Sequence, residues 1–251
     1  MEYITLTPDT IDKEHLCCAI TEKKGETAVA DKKQWLREAM KNGLVFYKAN
    51  VRGKAFIEYL PAEAAWNPVK ADHCFYINCL WVSGQYKGKG ISNDLMKKCI
   101  EDAKEQDKNG IVMIAGKKKI PYLCDPKYLK YKGFVSVDNW GPYELFYLPL
   151  KETKELPHFL KNEDIAQSHP EGYTLYYTNQ CPFTSKYAKI LKQLLDEANI
   201  PCALIHIQDK DAARNVPAPV TNYALFKGSQ YLGNEILSEK KIAALISEYA
   251  G

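Results

Sequence analysis

The residues best placed to do chemistry are Gln85-Tyr86-Lys87-Gly88-Lys89-Gly90. A long apolar run, residues 73–82, leads into this loop, and a helical pattern opens at Ile91. Two glycines one residue apart let main chain approach a ligand without Cβ obstruction. The first N–H groups of the following helix lack intrahelical partners, and the helix dipole favours an anion there. Lys87 and Lys89 add positive charge, so the expected guest is a phosphate or pyrophosphate. The simpler alternative is a glycine-rich turn joining a strand to a helix. No Gly-Lys-Ser/Thr opens the helix, which excludes the nucleoside-triphosphate loop. The spacing also lacks the third glycine of the dinucleotide fingerprint.

The cysteines support neither metal nor disulfide chemistry. Eight occur in 251 residues: Cys17, Cys18, Cys74, Cys79, Cys99, Cys124, Cys181 and Cys202. None forms a C-x-x-C pair and no His stands at ligand spacing from a Cys pair, so no metal is expected. Reduced thiols in the cytoplasm fit a chain with no export signal. Charge is nearly balanced, 34 Lys+Arg against 31 Asp+Glu for a net +3. That excludes bulk nucleic-acid binding as the default. No apolar run reaches the roughly 18 residues that span a bilayer. Apolar residues at 46% and charged residues at 26% describe an ordinary globular chain.

Several elements must position the loop. Tyr3–Thr7 reads as a strand, and Asp9-Thr10 as the cap of a helix to about Ala19. A second helix starts at Asp31 and stops at Gly43. Residues 44–51 and 54–61 form a hairpin through Arg52-Gly53, and 62–72 are a loop. After the strand at 73–82 and the helix from Ile91 come a buried strand at 111–116, a short helix at 125–133, and strands at 134–140 and 143–150. Residues 151–170 are charged and read as an interdomain connection. The remainder starts afresh in β-α-β then β-β-α order: strand 173–178, helix 181–199, strand 202–207, a proline-rich stretch, strands 222–228 and 230–236, and a last helix.

The pattern Q-x-x-G-x-G after a long strand resembles the acetyl-CoA loop of the GNAT acyltransferases. The element order agrees over about 150 residues, and residues 127–134 resemble the short helix ending in Gly-Phe late in that fold. Chain length, residues 57–66 and the appended C-terminal unit resemble the YoaP-like subgroup of GNAT N-acetyltransferases. The resemblance implies an α/β (α+β) chain. Residues 1–150 would be a GNAT domain with a mixed, splayed sheet, 151–170 a linker, and 171–251 a small thioredoxin/glutaredoxin-like domain.

It also implies acetyl-CoA as cosubstrate and a small-molecule amine or peptide as acceptor. Leu80, Trp81 and Val82 would offer main chain to pantetheine. Gln85, Tyr86, Lys87, Gly88, Lys89, Gly90, Ile91 and Ser92 would hold the pyrophosphate, and an N–H near Val82 would stabilise the oxyanion. The family's acid, a Tyr four residues before the Gly of Gly-Phe, falls on Leu129 here. Tyr128 is the neighbouring candidate, against the alternative that it packs the helix. Glu58, among apolar neighbours, is the candidate base, with an outward-facing strand residue as the alternative. Cys79 and Cys124 are weighed as nucleophiles against inert packing, and His73 as a loop residue. Trp66 and Glu63 hint at a cationic amine.

In the second domain Gln180-Cys181-Pro182-Phe183-Thr184, between a strand and a helix, resembles the active-site turn of thioredoxin and glutaredoxin folds, with Thr184 in place of a second Cys. Pro217 and Pro219 loosely echo that fold's cis-proline segment. The domain could bind substrate or partner, act through a single thiol, or make dimer contacts. The expected function is transfer of an acetyl group to a primary amine in the cytoplasm, with no nucleic acid or membrane partner. The alternative is a single-thiol redox or adaptor protein with a noncatalytic CoA-binding domain.

Overall fold

The computed structural model describes residues 1–16, 18, 24–161 and 171–250. They form two compact units. The first comprises Met1–Glu22, Lys33–Ala65 and Val69–Leu160, the second Lys23–Lys32, Trp66–Pro68 and Lys161–Gly251. Among the described residues no helix is long and apolar enough to cross a membrane.

The first unit carries β1 (Tyr3–Thr5), β2 (Val45–Ala49), β3 (Ala55–Pro61), β4 (Val69–Lys70), β5 (Cys74–Val82), β6 (Gly110–Gly116), β7 (Val135–Trp140), β8 (Tyr143–Pro149) and β9 (His158–Phe159). Its helices are α2 (Ile91–Glu105) and α3 (Pro126–Tyr131), while α1 (Ala28–Lys41) runs from one unit into the other. The sheet order is β1-β2-β3-β5-β6-β8-β7. Every residue of β6 is buried, as an unbroken apolar run in a central strand requires. β5 and β6 pair in parallel and the other neighbours antiparallel, with α2 as the crossover. One sheet face packs Ile57, Tyr59, Phe75 and Ile111 against Leu95, Cys99 and Leu129 of α2 and α3. Inside that core Asp102 accepts hydrogen bonds from Tyr59 Oη and from Lys98 Nζ, the latter at 2.5 Å.

The expected elements of the first unit appear with differences. Residues 9–14 form turns, not a helix, and the rest of that expected helix reaches residues 17 and 19, which lie outside the described set. Thr10 Oγ1 accepts from the Thr7 amide at 2.9 Å and donates to the Thr7 carbonyl at 3.3 Å, so side-chain bonds close the turn in place of a helix start. The segment 62–72 contains a 3-10 turn, Ala62–Ala64, and β4. β4 pairs with β9, which lies inside the expected linker. Phe159 is buried, its amide donating to Asp138 Oδ2 at 2.8 Å, so the first unit continues to Leu160.

The second unit carries β10 (Tyr173–Tyr177), α4 (Pro182–Glu197), β11 (Cys202–His206), α5 (Lys210–Arg214), β12 (Tyr223–Lys227), β13 (Gln230–Gly233) and α6 (Glu239–Ala250). The sheet order is β11-β10-β12-β13, with β10 parallel to β11 and antiparallel to β12. Alternation along β10 sends Tyr173, Leu175 and Tyr177 to the core formed with α4 and α6. Tyr176 goes to the opposite core with Ala213, Val216 and Phe226. The short α5, capped by Asp209, is an element the sequence reading did not anticipate. Peptide bonds among the described residues are trans, those at Pro217 and Pro219 included.

Candidate active site

The site is built on the place where two central strands part. β5 pairs with β6 only from Cys74 to Tyr76, opposite Gly110 to Val112. Beyond that, β5 stays with β3 as far as Val82, and β6 stays with β8 as far as Gly116. A bulge marks the parting: Tyr59 faces Ile77 and Glu58 faces Cys79, leaving Asn78 as an extra residue in β5. Bulges bend their strand and strengthen its twist, which turns the outer half of β5 away from β6.

The loop after β5 lies at the open end. It contains a 3-10 turn at Gly84–Tyr86 and then Gly88 and Gly90 with φ of 74° and 78°. These left-handed conformations favour glycine. A Cβ at either glycine would meet no atom within 4 Å, so conformation and not packing demands glycine there. Gly90 is the N-cap of α2. The first turn of α2, whose leading amides lack intrahelical partners, therefore begins where the loop ends.

A cleft of about 580 Å³ opens here. Its walls bring together most of the expected residues: Leu80, Trp81 and Val82 from β5, Tyr86, Lys87, Gly88 and Gly90 from the loop, and Ile91 and Ser92 from α2. Gln85 and Lys89 are not among the lining residues; the Gln85 amide donates instead to Tyr86 Oη at 3.1 Å. The opposite wall comes from the segment before α3 and from α3 itself, and includes Lys119, Cys124 and Tyr128. Cys124 forms an isolated bridge to Ala115 of β6. No sequence signal pointed to Lys119, because only the fold returns residues 117–125 to the parted strands.

Tyr128 lies in the cleft wall, half-buried, and its hydroxyl donates to the Ser92 carbonyl at 2.9 Å. Burial pushes its pKa above the ordinary tyrosine value, so it holds its proton across neutral pH. Leu129, where the acid was expected, is fully buried core. Burial pushes the Cys124 thiol up to about 12, which removes it as a nucleophile at neutral pH.

Glu58 is 2% exposed, so the outward-facing alternative does not hold. It lies outside the cleft lining and takes a hydrogen bond of 3.0 Å from Asn78 Nδ2, the bulge residue. His73 is a turn residue whose amide donates to Glu63 Oε1 at 2.7 Å. Trp66 packs in the second unit with Tyr176 and Phe226. Cys181 is half-exposed at the N-cap of α4, where Thr184 Oγ1 donates to the Cys181 and Thr178 carbonyls, each at 2.6 Å.

Residues 11–118 match the acetyltransferase (GNAT) family and residues 201–243 the YoaP-like family. The chain is 40% identical to the uncharacterized N-acetyltransferase YoaP of Bacillus subtilis (strain 168) over 251 residues, the whole of both chains. Among solved structures, a GNAT family acetyltransferase from Brucella melitensis in complex with acetyl-CoA is 14% identical, with a TM-score of 0.40, covering 62% of this chain and 91% of that one. The PaiA N-acetyltransferase from Thermoplasma acidophilum in complex with coenzyme A is 13% identical, with a TM-score of 0.41, covering 59% and 99%. On the full-length relative and the two family matches, the chain belongs to the GNAT acetyltransferases and, within them, to the YoaP-like proteins.

Proposed function

We propose that this protein moves the acetyl group of acetyl-CoA to a primary amine by direct attack on the thioester. The observation that carries the reading is the parting of β5 from β6 beyond Tyr76, with the glycine loop at its mouth. The β5 edge that no longer pairs with β6 suits an extended pantetheine arm, which would add to the sheet edge like a strand. The open cradle at Gly88 and Gly90, the α2 N-terminus and Lys87 suit a diphosphate. Acetyl-CoA supplies the activated acyl carbonyl.

Leu80, Trp81 and Val82 hold the arm, and an N–H near Val82 faces the developing oxyanion. Glu58, held by Asn78 outside the lining of this cleft and on the sheet face opposite α2, takes the proton that the amine loses as its C–N bond forms, the amine approaching from that face. Tyr128 returns a proton to the departing sulfur as the C–S bond breaks. Much of the acceleration comes from holding the two reactants together. The reaction belongs in the cytoplasm.

We read the second unit as a thioredoxin-like domain that binds substrate or partner. The β11-β10-β12-β13 order and the helix-capping position of Cys181 support that reading.

Calorimetric titration with coenzyme A, and thiol release from acetyl-CoA over a panel of primary amines, test the proposal. Binding and turnover are expected, both lost in Gly88→Val and Gly90→Val, with turnover alone lost in Glu58→Gln. A wild-type protein that binds no coenzyme A refutes the assignment. Activity in a glutathione-linked assay that Cys181→Ser abolishes would move the second unit to single-thiol chemistry.

A further inference from the structure

The turn between β2 and β3 touches the acyl-carrier loop at two points and the end of β5 at a third. Gly53 lies under the Tyr86 ring: a Cβ on Gly53 would stand 2.9 Å from Cδ2 and 3.0 Å from Cζ, and closer still to Cε2. Lys54 follows, and its carbonyl accepts from the Ser83 amide at 2.9 Å, at the root of the loop. Lys54 Nζ also stands 4.3 Å from the centroid of the Trp81 ring, within cation–π range. The turn is itself held. The Gly53 amide donates to the Val51 carbonyl at 3.0 Å, and His15 Nε2 bonds that same carbonyl at 3.0 Å. Since a carbonyl only accepts, Nε2 carries the proton.

We propose that Gly53 is a positioning residue for the acyl-carrier site: it seats the Tyr86 ring, and through Tyr86 sets the loop that grips the diphosphate. Gly53 differs in kind from the loop glycines. Gly88 and Gly90 have positive φ and open space beside them, whereas Gly53 has no positive φ and is crowded by one ring. An alanine there brings no backbone strain, and its methyl group meets Tyr86. The ring must swing away, and it cannot do so without disturbing the cleft wall, of which Tyr86 is part. Small-to-large changes in a packed contact move neighbours by rotamer or backbone shifts, and small displacements of binding groups are felt strongly. The Gln85–Tyr86 hydrogen bond lies at the far end of the ring and moves with it. A hairpin turn some thirty residues upstream thereby becomes part of the cofactor site.

This inference rests on the coenzyme A reading of the cleft, and the experiment separates the two. Coenzyme A is titrated calorimetrically into wild type, Gly53→Ala, Tyr86→Phe, Tyr86→Ala and the double variant Gly53→Ala/Tyr86→Ala, with thermal melts run on each. The expected result is a dissociation constant raised about tenfold or more in Gly53→Ala. Tyr86→Phe keeps the ring but loses the Gln85 bond, and should bind less tightly than wild type and more tightly than Tyr86→Ala. Tyr86→Ala should bind weakly, and adding Gly53→Ala to it should change nothing further, because the obstructed ring is gone. A melting temperature lowered with affinity intact would mark Gly53 as merely structural and overturn the proposal. So would a Gly53→Ala penalty of the same size in the Tyr86→Ala background. Should wild type bind no coenzyme A, the reading of the cleft falls first and this inference with it.

Discussion

The Tyr128 hydroxyl commits its only proton to the Ser92 carbonyl, on the first turn of α2. To protonate a leaving thiolate it must exchange that bond for one to sulfur, at a net cost of about 1 kcal/mol. A charge-assisted bond to a thiolate is stronger than the bond it replaces, so the exchange runs downhill once negative charge develops. Burial, which raises the Tyr128 pKa, keeps the proton available until then. Tyr128→Phe should therefore lower kcat by about 10²-fold or more. Coenzyme A affinity should stay close to wild type, since the ring still fills the wall. An unreduced kcat removes Tyr128 as the acid. The sequence made Tyr128 a candidate by its closeness to position 129, but its direction into the cleft depends on the rotation of α3. Burial of Leu129 fixes that rotation, and no residue type reveals it.

At the scale of elements, the extra residue in β5 creates the site. With Asn78 in place, Ile77 and Cys79 face Tyr59 and Glu58, two consecutive residues of β3. Deleting Asn78 restores a one-to-one ladder along β3 and removes the bend that parts β5 from β6. The deletion should leave far-ultraviolet circular dichroism and cooperative melting close to wild type, while coenzyme A binding falls below detection. Retained binding would show that the parting has another cause. The strands themselves were legible, because alternation and apolar runs reflect burial, which depends on residue type. The parting was not legible from the residues, since Cys74–Val82 is aromatic and β-branched on both sides of the bulge; it entered only through family resemblance. β4 and β9 escaped for a related reason. A two-residue ladder has no period to detect; Phe159, packed edge-on to Trp140 and with its amide bonded to Asp138, draws the chain back.

For the whole molecule, the buried titratable groups set limits on the stable pH range. The His15 and His206 pKa values both lie below the ordinary 6.5, chiefly because burial disfavours the charged ring. Lys48 reinforces this at His15, while at His206 Asp31 opposes it and Lys189 adds to it. For such groups the unfolded chain takes up protons first as pH falls. The stability they contribute is complete above about 6.5 and is lost as pH drops through the lower folded values. His15 is partly buried whereas His206 is exposed and screened by solvent, so the loss on the acid side should fall mainly on the first unit. The alkaline side has the opposite sign. Burial raises the Cys74 and Cys124 thiols to about 12, Cys202 to about 11, and Cys99 well above its ordinary value. Burial and the bond to Asp102 also raise the Tyr59 phenol. These groups favour the fold fully below their unfolded values, near 9.0 for the thiols and 10.0 for the phenol, and that stability is lost as pH climbs from there. A net charge of only +3 adds little general repulsion between these limits. The urea midpoint should form a plateau from about pH 6.5 to about pH 9, falling on both sides. His15→Asn with His206→Asn should flatten the acid arm and leave the alkaline arm in place. A midpoint that rises between pH 6.5 and pH 5.5 would reverse the sign argued for the histidines, and with it the view that both rings are folded in their neutral form.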